Sequence, residues 1–156
     1  MEFIEYKYSE DKEKLLKFLE NAEWKPGPLT AKNIKDGKYE EKFGEDGGLF
    51  FYLEYDSPLA FGALVKEDYI RKPGLKPWIA MIYVDPKARG NRLSEKMILF
   101  LENKARKLGY DKVYIVTQHK GLYEKYGYKL QEVIHGSIHG EDYFYKKYLD
   151  KVHIIV

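Results

Sequence analysis

Apolar and polar positions fall into blocks along the chain, and each block carries the period of one element. The run FIEYKY at 3–8 reads as a first strand, and SEDKEKLLKFLENA at 9–22 has helical spacing, with Leu15, Leu16, Phe18 and Leu19 on one buried face. Ser9 is placed to cap that helix, with Lys12 standing where a capping box would have glutamate. WKPGPL at 24–29 breaks it. Residues 30–43 are polar around Gly37 and predict a short, mobile helical segment that forms one lip of a cleft. GLFFYLEY (48–55), PLAFGALVKED (58–68) and PWIAMIYV (77–84) read as three strands, the first two joined by a tight turn at Asp56-Ser57 and so antiparallel.

The third of these runs is almost wholly apolar, as expected for a strand covered on both faces. Helix 91–108 repeats Leu93, Met97, Leu101, Ala105 and Leu108, and Gly109 stops it. KVYIV at 112–116 follows as a strand, which makes 77–116 a βαβ unit with parallel strands and a right-handed crossover. A short helix near 120–126 and strands at 127–134 and 142–149 complete the chain. The expectation is a single α/β (α+β) domain over 1–156. Its seven-stranded sheet is mixed and mostly antiparallel, with a central parallel pair and helices on both faces.

Composition removes several function classes. With 27 Lys and Arg against 25 acids, the net charge is +2 and the basic residues are scattered, so no nucleic-acid partner is expected. There are no cysteines, which excludes disulfides, thiolate metal sites and an acyl-cysteine intermediate. The start of the chain lacks a basic leader, and no segment approaches the roughly 20 apolar residues of a membrane span, so a cytoplasmic protein without a membrane partner is expected. His135 and His139 in HGSIHG have the spacing of a helical metal pair, but the flanking glycines favour a turn, and no metal is expected.

The junction YVDPKARGNRLSEKM at 83–97 passes from strand to helix through a short loop. The first N–H groups of such a helix lack internal partners and the macrodipole is positive there, so the junction either holds an anion or is a plain turn. Gly90 permits close backbone approach, and Arg89 and Arg92 add charge. The spacing matches neither a dinucleotide GxGxxG nor a Walker loop.

IYVDPKARGNRLSEKMI resembles the acetyl-CoA loop of the GCN5-related N-acetyltransferase (GNAT) superfamily, and LYEKYGY, about 30 residues on, is similar to that superfamily's later aromatic motif. The likeness spans roughly 77–135 in order and spacing. The superfamily's loop is usually Gln/Arg-x-x-Gly-x-Gly/Ala; Arg89 takes its first position, while Arg92 and Ser94 replace the small residues at the fourth and sixth. The resemblance implies that backbone N–H groups from Arg89 through Gly90, Asn91, Arg92 and Leu93 to Ser94 receive the CoA pyrophosphate. It further implies that pantetheine lies along the backbone of Ile82, Tyr83 and Val84, with an N–H near Ile82 stabilising the developing oxyanion.

The implied activity is direct transfer of an acetyl group from acetyl-CoA to a primary amine of a small molecule, within a ternary complex. The alternatives are a CoA-binding sensor or adaptor without turnover, and an acetyltransferase acting on protein or peptide amines. The amine must lose a proton and the departing thiolate must gain one. Tyr123 falls on the motif's proton donor. Glu67, Asp68 and Glu54 are candidate bases, each of which reads equally as a solvated charge. Trp78, Trp24 and Tyr52 are either walls of an acceptor pocket or core. A homodimer is compatible with all of this.

Overall fold

A computed structural model describes residues 2–44 and 46–150. Strand β1 (Glu2–Glu5) ends sooner than its apolar run suggests, because Tyr6–Tyr8 tighten into a single 3-10 turn that buries Tyr6. Helix α1 (Lys12–Glu20) is capped by Asp11, whose Oδ1 accepts the Lys14 N–H at 3.2 Å. Ser9 is therefore not the cap; its Oγ accepts the Asp11 N–H at 3.2 Å and shapes the approach.

WKPGPL breaks the chain direction and also starts a helix. Pro26 opens α2 (Pro26–Lys35), where its missing N–H costs nothing and its fixed φ suits the first turn. At Gly27 a Cβ would lie 2.6 Å from the Leu19 carbonyl oxygen and 2.7 Å from the Ala22 Cβ, so the close approach of α1 and α2 requires glycine. The 30–43 segment resolves into the end of α2 and a second helix, α3 (Tyr39–Phe43), separated by Gly37 at φ +78°.

Strands β2 (Gly48–Glu54) and β3 (Ser57–Val65) form a hairpin whose two-residue turn is Tyr55-Asp56, one position before the expected one. Both residues have positive φ, 50° and 65°, as a turn matching the twist of the strands demands. β3 stops at Val65, so Glu67 and Asp68 belong to the 66–77 loop and not to a strand end. β4 (Trp78–Val84), α4 (Leu93–Lys107), β5 (Lys112–Thr117), β6 (Lys129–Ser137) and β7 (Gly140–Tyr148) follow.

The sheet has seven strands in the order β1-β2-β3-β4-β5-β7-β6, and β4–β5 is its parallel pair. One face buries Leu15 and Leu19 of α1, Ala31 of α2 and Phe43 of α3 against Phe51, Phe61, Tyr83 and Phe144. The other buries Leu93, Met97, Ile98, Leu101 and Ala105 of α4 against Ile79, Ile115 and Tyr145. Two large apolar layers, one on each side of the sheet, hold its centre dry and fix the ends of β4 and β5.

Candidate active site

β4 carries an irregularity that its apolar run does not announce. Its register against β3 shifts between Phe61 and Ala63, opposite Met81, which has φ +58°. This is a β-bulge, and it requires close approach from β3: a Cβ on Gly62 would meet Ile82 Cδ1 at 2.8 Å and Met97 Cγ at 2.9 Å.

On its other edge β4 pairs with β5 at a single register position, Trp78 opposite Tyr114, supported by the Tyr114 N–H donating to the Pro77 carbonyl at 3.1 Å. Beyond that point the ladder lapses, so the C-terminal half of β4 and the end of β5 border a notch in the middle of the sheet. Ile82 and Val84 pack toward α4, and Tyr83 packs toward the opposite face. The three expected backbone contacts lie along this notch, although the Val84 carbonyl already accepts Arg89 Nε at 3.1 Å.

The strand leaves through Asp85, whose Oδ1 accepts the Lys87 N–H at 3.0 Å and turns Pro86–Ala88 into a 3-10 helix. The Arg89 N–H is spent on the Pro86 carbonyl at 3.4 Å. Gly90 has φ +91°, and Arg92 sits in the left-handed region at φ 58°, ψ 29°. The first internal bond of α4 runs from the Lys96 N–H to the Arg92 carbonyl at 3.1 Å. Among the described residues, the N–H groups of Gly90, Asn91, Arg92, Leu93, Ser94 and Glu95 therefore donate to nothing in the protein. Such a run at the positive end of a 15-residue helix is able to donate to an anion. The Arg92 side chain is 84% exposed, and its nearest carboxylate is Glu95 at 4.0 Å.

Tyr123 opens a short 3-10 helix, Tyr123–Tyr126, after β5. It is buried among the rings of Tyr126, Tyr128 and Tyr145 and shares its cluster with Ala88 and Leu93 of the loop region. Burial, reinforced by Tyr126 and Tyr145, pushes its hydroxyl up to about 12. That hydroxyl has no hydrogen-bond partner among the described residues, yet it keeps some exposure, unlike the Oδ2 of Asp142. It is therefore a protonated donor with a free direction.

The candidate bases separate. Glu54 ends β2, two strands from β4, and accepts the Tyr52 hydroxyl at 2.8 Å. Glu67 is exposed on the 66–77 loop. Asp68 is half-buried, and burial pushes its carboxyl up to about 6 against the opposing pull of the Tyr69 N–H and Lys42, with Asp142 adding repulsion. Trp78 is core: it is 1% exposed, packs on Tyr114 and Phe144, and donates to the Leu75 carbonyl at 2.7 Å. Tyr52 is also buried. Trp24 is 38% exposed and lies parallel to Tyr83 at 6.0 Å, with Arg89 over the Tyr83 ring at 5.8 Å. His135 pairs with Glu141 at 3.0 Å in the β6–β7 hairpin.

Sequence reasoning missed the Met81 bulge, the buried Asp142 on β7 and the buried Glu102 of α4. Glu102 accepts Tyr128 at 2.7 Å and Lys147 at 3.1 Å and so ties α4 to the segment after Tyr123. A glutamate at a helix position flanked by apolar neighbours was the available signal for the last of these.

The sequence matches the Acetyltransferase (GNAT) family over residues 13–128. Among solved structures the chain is similar to the aminoglycoside 6′-N-acetyltransferase from Enterococcus faecium, at 17% identity over 100% of this chain and 98% of that one, with a TM-score of 0.69. An aminoglycoside 6′-N-acetyltransferase complexed with coenzyme A is 16% identical over 100% and 98%, with a TM-score of 0.70. A GNAT family acetyltransferase from Elizabethkingia anophelis with acetyl-CoA bound is 17% identical over 76% and 83%, with a TM-score of 0.59. At these identities the structural likeness speaks to the fold. No curated protein matches the chain. The match over most of its length decides the matter: this chain belongs to the acetyltransferase (GNAT) family and is an acetyltransferase of that family. No helix among the described residues is long and apolar enough to cross a membrane.

Proposed function

We propose that this acetyltransferase moves the acetyl group of acetyl-CoA directly onto a primary amine of a small molecule. The observation that carries this reading is the run of unengaged N–H groups from Gly90 to Glu95, opening onto a notch where β4 and β5 cease to pair. The run receives the pyrophosphate, and pantetheine follows the backbone of Ile82 and Tyr83 into the notch. The bulge at Met81 turns the neighbouring N–H groups toward the thioester carbonyl, where they stabilise the oxyanion.

The neutral amine attacks the carbonyl carbon, the C–S bond breaks, and CoA leaves as a thiolate that takes the Tyr123 proton. Tyr123 remains protonated throughout the neutral range because its hydroxyl is pushed up to about 12. Asp68, held near 6, is ionised at neutral pH and accepts the amine proton, directly or through water. Glu67 and Glu54 have less support, being respectively exposed and engaged by Tyr52. With no cysteine in the chain, no acyl-thiol intermediate is available, which favours a ternary complex.

The neighbours named for aminoglycosides favour a small amine over a protein substrate. The test is thiol release from acetyl-CoA across a panel of small amines and peptides, since any new thiol must be CoA. Release with at least one small amine is expected. Tight CoA binding without release from any of them would instead identify a sensor.

A further inference from the structure

Asp142 is the one buried side chain among the described residues that holds a polar atom without a partner. Its carboxylate is fully buried; Oδ1 accepts the Tyr69 hydroxyl at 2.6 Å, and Oδ2 accepts nothing. An unmatched buried oxygen costs about 1–3 kcal/mol, more when it is charged, and calls for a donor that the protein does not supply. The neighbourhood is short of positive charge. Asp68 lies close enough for Asp142 to raise it, and Lys42, which faces Asp68, has its own ammonium disfavoured by burial. Lys72, on the same loop as Asp68, is spent on Glu132 at 2.6 Å. His139 Nδ1 stands 3.6 Å from Oδ1, with its ring edge-on to Tyr69.

The position of this group relates it to the notch. Tyr143 pairs with Thr117 at the end of β5, so Asp142 lies beside the wide end of the gap between β4 and β5. Phe144, two residues on and hence on the same face, packs on Trp78 and Tyr114, which puts Asp142 on the side opposite α4. The 66–77 loop crosses that face, and Tyr69, which covers Asp142, is itself 48% exposed. No group of three metal-binding side chains occurs among the described residues, so the missing donor fits an organic ammonium better than a metal ion.

We propose that Asp142, with Tyr69, binds a second ammonium group of the acceptor, so that the substrate class is small amines carrying two or more positive charges. This deepens the acetyl-transfer reading, but the site itself is tested by binding alone. Spermidine and, as a singly charged control, butylamine are titrated calorimetrically into the CoA-saturated protein. Spermidine is expected to bind at least tenfold more tightly than butylamine. Asp142→Asn should remove that advantage, with the thermal midpoint retained. Tyr69→Phe, which removes the hydroxyl that Asp142 Oδ1 accepts, should reduce it at least threefold and decides the matter if Asp142→Asn fails to fold. Spermidine binding no tighter than butylamine, or unchanged in the variants, overturns the proposal. Carboxylate-dependent spermidine binding without thiol release would keep the site and sink the transfer reading. Thiol release with single amines and no polyamine preference would do the reverse.

Discussion

Arg92→Gly separates what the backbone does in the proposed pyrophosphate loop from what the side chain does. Arg92 occupies φ 58°, ψ 29°, where an L-residue with a Cβ pays about 1–2 kcal/mol. Glycine removes that strain but has a more disordered unfolded state, a loss of roughly 0.4–1 kcal/mol. The side chain is 84% exposed and its ion pair to Glu95 at 4.0 Å is of the kind that contributes about 0–1 kcal/mol, usually near the lower end. The variant should therefore gain about 0.5–1 kcal/mol, a rise in thermal midpoint of roughly 1–3 °C for a chain of this size. Thermal unfolding followed by circular dichroism measures it. Arg92→Ala keeps the strained backbone and removes only the charge, so its midpoint should stay near that of the wild type. Its CoA affinity should fall by up to about 1 kcal/mol, roughly fivefold, and the loss should fade at high salt. A midpoint for Arg92→Gly below wild type, or equal gains for both variants, would refute the reasoning.

Asp68→Asn should abolish the acid limb of kcat/KM, which in the wild type falls as pH drops through about 6. The same raised carboxyl favours the fold only while protonated and loses that contribution as pH rises through about 6, so the variant should be more stable than wild type at pH 7 but not at pH 4. Tyr123→Phe should lower kcat about a hundredfold while CoA affinity, measured by calorimetry, is retained. Gly62→Ala places a Cβ 2.8 Å from Ile82 Cδ1 and 2.9 Å from Met97 Cγ; denaturant titration should show a loss of about 1–3 kcal/mol, with weaker CoA binding as the bulge shifts.

Helix α4 and the strand before it were legible because their apolar periods are unambiguous, and the number of strands followed from the same reading. The 85–92 junction was legible as a short strand-to-helix loop through Pro86 and Gly90, but its left-handed turn at the start of α4 falls on Arg92, a residue type that gives no warning of positive φ. Met81 hid the bulge for a similar reason, sitting as one more apolar residue in an apolar run. Ser9 and Asp11 are both good cap residues two positions apart, and only the folded chain distinguishes them. WKPGPL carries both a stop signal and a start signal, since Pro26 ends one path and opens α2. Asp142 opens the run that reads as the last strand, and nothing in that run marks it as buried. Its burial depends on Tyr69, 73 residues away, reaching across from the 66–77 loop.

The account rests most heavily on where CoA is held, and backbone amide shifts during a CoA titration of isotope-labelled protein test this directly. Gly90 through Glu95 should show the largest amide proton changes, with Ile82 and Tyr83 following. Saturable CoA binding that leaves those six amides unmoved would contradict the assignment of the loop and of the notch it opens onto.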